Sequence, residues 1–420
     1  MPAIAFSALV NLTKYQYPHG LEEAVAIQSP LLGRLPKGKL IGTAVSQKIK
    51  HSPGQKASST FATIQAAAVA AGGFAPSYVS EFLISSHFTN YAVFQLETAS
   101  ISRSEGNAAG VRSYVKSETD SALEDLATQM TQALYVNGGG AIGRVGSVVT
   151  TVLTLATLED IVNFEVGQVI DWDTTDGTSG AVGGDPTVIT AIDREAGTLT
   201  AGANWAAGFT VAGRYLFRVG NFGLQVPGLE AWIPASAPGA TLFNNVDRSI
   251  DPVRLGGNRY VASGSDGTYL RCFSNALSRT QRSIQNAHPN EIFVNPFVFD
   301  RVVDEMNNRT DWVQTPGRST PGSAPSATYG YKALKVAVGD ADAMLHKDVR
   351  CPRDTAWLLQ TDTWEVLPVP GGFPRVLEGG DGMTVYNADA SEFRFAAYWN
   401  LLCRTPAKNC RINLAYLNGL

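Results

Sequence analysis

The chain has 420 residues, more than one hydrophobic core usually serves, so two or three packing units are expected. Its 44% hydrophobic and 17% charged residues exclude a disordered chain, and its 41 glycines and 21 prolines follow no fixed period, which excludes collagen-like order. The net charge of −4 divides into +5 over residues 1–56 and −9 over the rest, with no lysine between Lys116 and Lys332, which excludes the strong basic face of a tight nucleic-acid binder.

Residues 1–56 mix short apolar groups with Pro18, Pro30, Pro36 and Pro53, a composition that fits a solvated tail and an arm laid on a neighbour equally well. The opening Met1-Pro-Ala-Ile-Ala-Phe lacks the basic start of a secretion signal, and no apolar stretch reaches the ~18–20 residues that cross a bilayer. Cys272, Cys351, Cys403 and Cys410 show no C-x-x-C spacing and read as reduced core residues of a soluble product made in the cytoplasm. From Ala57 to Ser102 there is no Lys or Arg. Residues 59–70 read as a strand or a short helix, their alanines blurring the period, whereas 91–97 alternate like a half-buried strand. An extended hairpin is expected over 57–104.

The clearest helix covers residues 117–135, with an upstream extension toward Asn107 through Val111 and Tyr114. Ser117-Glu-Thr-Asp120 and Ser121-Ala-Leu-Glu124 both offer capping boxes, so the start is open by a turn. Leu123, Leu126, Met130 and Leu134 recur at helical spacing, and the glycines after Asn137 stop the helix. From 148 to 222 short β-like runs (148–155, 169–172, 187–192, 215–219) alternate with polar, glycine-rich turns, the pattern of a small antiparallel module inserted into a larger domain. Beyond Pro227 the pattern is mixed. A helix carries Leu270, Phe273, Leu277 and Ile284 and stops before His288-Pro289; a strand follows at 292–294. A second helix at 296–308 turns Phe299, Val302, Val303 and Met306 inward, a loop covers 311–329, and 393–402 is the strongest late strand.

No coherent catalytic or metal constellation emerges, and no cofactor is expected. Gly138-Gly-Gly140-Ala-Ile-Gly143 fits G-x-G-x-x-G but follows a helix C-terminus, where the dipole repels phosphate. Asp171, Asp173 and Asp176 approach a calcium loop without its spacing, and Val182 stands where the bidentate Glu belongs, so a polar turn is expected. The five histidines lack zinc-ligand spacing, and no G-x-S-x-G elbow is present. Asp247, Arg248, Asp251 and Arg254 crowd opposite charges around Pro252. They read either as a turn with intrachain ion pairs or as a register device between subunits.

As an ordered series, several strings resemble the major capsid proteins of tailed double-stranded-DNA phages. They are Asp125-Leu-Ala127, Ala133-Leu-Tyr-Val-Asn-Gly-Gly-Gly-Ala-Ile-Gly-Arg144, Gly228-Leu-Glu-Ala-Trp-Ile-Pro234, residues 243–256, Asn295-Pro296, Thr361-Asp-Thr-Trp364 and Cys403. The resemblance implies an α+β, Hong Kong 97-like capsid fold with an inserted small β domain. Its parts would be an N-terminal arm (1–56), an extended hairpin loop (57–104), a spine helix and peripheral domain (105–147), a β-rich insertion domain (148–222), and the rest of the peripheral domain with the axial domain (223–420).

The resemblance implies self-assembly, with no catalysis, into hexamers and pentamers of an icosahedral virion capsid, built in the host bacterial cytoplasm. A portal protein would be a partner, beside a separate scaffolding protein and a cement protein; DNA would be held weakly and nonspecifically, and no membrane is involved. Candidate subunit contacts are Lys37, Lys39, Lys48 and Lys50 of the arm, Phe94 and Leu96 of the hairpin, and Asp247, Arg248, Asp251 and Arg254. A hairpin free of lysine implies a shell without the lysine–asparagine crosslink of some relatives. Loss of residues 1–56 is expected to leave soluble protein unable to close shells. The rival readings are an encapsulin-like cargo shell, a β-rich tail or adhesin binding protein, and an enzyme.

Overall fold

The computed structural model describes residues 30–52, 57, 59–62, 65, 77–97, 108–284, 286–307, 334–338, 341–371, 373–377, 383–385 and 389–419. The expected loop at 311–329 and most of 59–70 lie outside them. The chain divides into two compact units, 1–257 with 362–406, and 258–361 with 407–420.

The first unit is organised around strand Ala390–Cys403, which pairs antiparallel with Phe88–Glu97, Trp364–Pro368, Arg375–Val376 and Met383–Thr384. Helix Ala108–Tyr135 packs on this sheet through its leucine and methionine stripe, and Leu126, Met130 and Leu134 are fully buried. Beneath the helix, the Trp399 indole donates to the Asn90 side-chain carbonyl at 2.9 Å, and the Asn90 amide donates to Gln225 at 3.2 Å. These pairings satisfy buried polar groups that would otherwise be costly.

The helix ends at Tyr135 because the next residues enter left-handed backbone, with φ of +93° at Gly138 and +88° at Gly140. A Cβ at Gly139 would stand 2.0 Å from the Asp176 carbonyl oxygen, so this crossing admits only glycine. The chain then returns at once to strand, earlier than the expected start at 148. Ala141–Val149, Val152–Leu155, Thr198–Ala201, Thr187–Asp193, Val169–Asp173 and Tyr215–Arg218 close, in that order, into a six-stranded barrel. Its interior holds Ile142, Val145, Leu153, Phe164, Ile170, Ile189, Leu199, Trp205 and Leu216. An ion pair at 2.8 Å between Arg218 and Asp125, and a hydrogen bond at 2.6 Å from Asn137 to Asp176, fasten the barrel to the helix.

The second unit is a six-stranded mixed sheet in the order Asn258–Val261, Cys410–Asn413, Thr355–Leu359, Glu291–Val294, Ala341–Lys347, Leu334–Val338. Helices Tyr269–Ser283 and Pro296–Asn307 cover it, bringing Phe273, Ala276, Leu277, Val298 and Val302 into one core; Ile284 falls just past the first helix. Buried Asp266 accepts hydrogen bonds from the Tyr260 hydroxyl (2.6 Å), the Asn275 amide (2.7 Å) and the Ser263 N–H (2.8 Å). Burial opposes its charge, but these donors outweigh burial and lower its pKa. That stability is complete above the ordinary carboxylate value of about 4 and is lost as pH falls through the lowered one. We expect acid to shift the denaturation midpoint of the wild type more than that of Asp266→Asn, measured by urea unfolding at descending pH; equal shifts would refute the assignment.

Candidate assembly surface

Strands Val45–Ser52 and Tyr78–Ile84 form a separate two-stranded antiparallel sheet, with Val45 opposite Ile84 and Lys48 opposite Glu81. Strand alternation gives it two unlike faces. Ile49, His51, Phe82 and Ile84 are buried, whereas Ser46, Lys48, Lys50, Val79, Glu81 and Leu83 are exposed.

The root of this hairpin is braced. Phe82 lies 5.3 Å from the Trp232 ring, which also meets Phe243 at 5.2 Å and Trp364 at 6.4 Å. The Leu83 N–H donates to the Asn244 carbonyl at 3.0 Å, and Arg254 donates to the His51 carbonyl. Asn244 and Asn245 take left-handed backbone at φ +47° and +69°, which turns the 243–246 segment toward the hairpin.

The charged string belongs to this brace, in agreement with its intrachain reading. Arg248 is only 8% exposed, lies 4.2 Å over the Phe243 ring and donates to the Ala231 and Trp232 carbonyls at 2.8 and 3.0 Å. Asp251 accepts the Arg254 N–H at 2.9 Å and pairs with its guanidinium at 3.6 Å. Asp247 accepts the Ser249 hydroxyl and N–H at 2.6 and 2.8 Å, and these donors hold its carboxyl below the usual range.

Three further expectations need correction. Phe94 is 8% exposed and stacks on Phe393 (5.1 Å) and Phe395 (5.8 Å), so its side chain is used within its own sheet; the Leu96 side chain lies outside the described residues. The strand holding both belongs to the main sheet, and the hairpin limbs are 45–52 and 78–84. Lys48 and Lys50 therefore sit on the hairpin, and the lysine-free premise for an uncrosslinked shell fails. The arm, finally, packs on its own chain through its described residues, 30–52. Leu31, Leu32 and Leu35 are buried, and Gly38 and Leu40 donate to the Val366 and Pro368 carbonyls at 2.8 and 2.9 Å beside an isolated parallel bridge from Lys37 to Val366. Lys37 and Lys39 on that segment are exposed.

Trp232, Phe82 and Asn244 were not foreseen as hairpin supports. The Asn244-Asn245 pair was the available signal, since asparagine tolerates left-handed backbone. Among the described residues, no cluster of three His, Cys, Asp or Glu side chains is placed to hold a metal, and no helix is long and apolar enough to cross a membrane.

No protein-family model matches the chain, and no curated protein matches its sequence. The capsid asymmetric unit of cyanophage A-1(L) does match in structure, with a TM-score of 0.50 at 13% identity over 92% of this chain and 93% of that one. The chain has the Hong Kong 97-like capsid fold. The satellite phage P4 procapsid is similar at TM-score 0.42 and 10% identity, covering 94% of this chain and 89% of that one. The SrpI encapsulin of Synechococcus elongatus PCC 7942 is similar at TM-score 0.42 and 7% identity, covering 92% and 88%.

Proposed function

We propose that the chain is the major capsid protein of a tailed double-stranded-DNA phage, assembling with itself into hexamers, pentamers and a closed shell. The carrying observation is the capsid fold with a braced hairpin whose outer face stays exposed among the described residues. Specific interfaces bury on the order of 1,200–2,000 Å² or more, and this face, the segment bearing Lys37 and Lys39, and the barrel wall supply surface for several of them. The second unit, 258–361 with 407–420, would be the axial domain around the symmetry axes. A net charge of −4 fits a wall that does not adhere to the DNA it encloses. A portal protein, and separate scaffolding and cement proteins, fit this role as partners, and the host cytoplasm fits as the place of assembly.

The encapsulin-like cargo shell shares the fold; the barrel insertion and the phage-like strings favour a virion. Purified full-length protein is expected to elute from size-exclusion chromatography as megadalton particles that negative-stain microscopy shows as closed shells. A monomer or trimer stable at high concentration would overturn the proposal.

A further inference from the structure

The outer face of the hairpin pairs cations with apolar groups. Lys48 and Lys50 alternate along one strand, across from Glu81 and Val79, and Val79 and Leu83 on the same face are 48% and 39% exposed. Neither lysine forms an ion pair among the described residues, and Glu81 accepts the Ser46 hydroxyl.

The barrel carries the opposite character. Residues 141–219 hold nine acids, four arginines and no lysine. One rim of it, the turn between Thr187–Asp193 and Thr198–Ala201, exposes Asp193 and Glu195. Beside that turn are Leu158, packed under Gly197, and Val166, which is 62% exposed. The rim is stiff: Arg194 pairs with Glu165 at 2.8 Å and reaches the Ile161 and Phe164 carbonyls, and Asp193 accepts the Glu195 and Ala196 N–H groups at 3.0 and 3.1 Å. Glu195, like the two lysines, has no ion pair among the described residues.

We propose that the outer hairpin face of one copy docks on this barrel rim of a second copy, with Lys48 and Lys50 facing Asp193 and Glu195, and Val79 and Leu83 covering Leu158 and Val166. The apolar groups supply contact area and the charges set register. A second copy is the occupant because one chain carries both complementary surfaces, and two unlike patches on one subunit generate a head-to-tail contact of the kind that builds rings where the rotation closes. This contact rests on the shell reading.

The test uses full-length Lys50→Glu, Glu195→Lys and their combination, with shells counted by microscopy and folding checked by circular dichroism. Each single variant is expected to cut shell yield about tenfold and the combination to restore it, the mark of a direct charge pair. Normal yield from either single variant, or no restoration in the combination, overturns the contact. A wild type that forms no shells at all instead overturns the shell reading. If a reversed variant fails to fold, Lys50→Cys with Glu195→Cys decides. Oxidation that links neighbouring chains supports the contact, and unlinked chains overturn it.

Discussion

Removing residues 1–56 is expected to leave no stable first unit, where the sequence reading foresaw a soluble protein deficient only in assembly. Leu31, Leu32, Leu35 and Leu40 are buried in that unit, and full burial of one such side chain contributes about 1.5–3 kcal/mol. Their loss together is comparable with the whole 5–15 kcal/mol margin of a typical domain. The deletion would also strip the bridging segment 37–40 from Trp364–Pro368 and the partner strand from Tyr78–Ile84, opening both to aggregation. The check is soluble yield and a cooperative melt; a truncated protein that is soluble and melts cooperatively would refute it. Removing only residues 1–29 spares every one of these contacts, so that shorter protein is expected to fold and can be scored for shells.

What the sequence disclosed follows from where side chains, as opposed to backbone, define an element. The long helix was legible because Leu123, Leu126, Met130 and Leu134 mark one face at helical spacing and all become buried. The barrel was seen in part. Its first strand begins before the expected 148, a start hidden because Gly143 and Gly146 dilute the alternation of Ile142 and Val145, yet each glycine fits a tight approach, Gly143 under Phe164 and Gly146 against the Leu155 carbonyl. Strand Val45–Ser52 went unseen within the arm or tail of 1–56 because its outward positions include lysines. The string at 247–254 stayed ambiguous for another reason. Arg248 bonds to the Ala231 and Trp232 carbonyls, and backbone acceptors leave no trace in a pattern of side chains.

Trp232→Ala is expected to cost about 3–5 kcal/mol, the range for emptying a buried large aromatic site. Trp232 is fully buried, and three rings from separate parts of the first unit, Phe82, Phe243 and Trp364, meet on it. The cavity would loosen the hairpin root first, because Phe82 holds the hairpin there. Faster proteolysis within 78–84 should therefore accompany the lower urea midpoint. Trp232→Phe separates packing from polarity. The indole N–H has no hydrogen-bond partner among the described residues, and a buried unpaired donor costs about 1–3 kcal/mol. Phenylalanine removes that penalty while keeping much of the ring contact, so its net loss should stay below about 2 kcal/mol. A loss below about 1 kcal/mol from Trp232→Ala would mean that the indole is not the brace, and the hairpin would need another anchor.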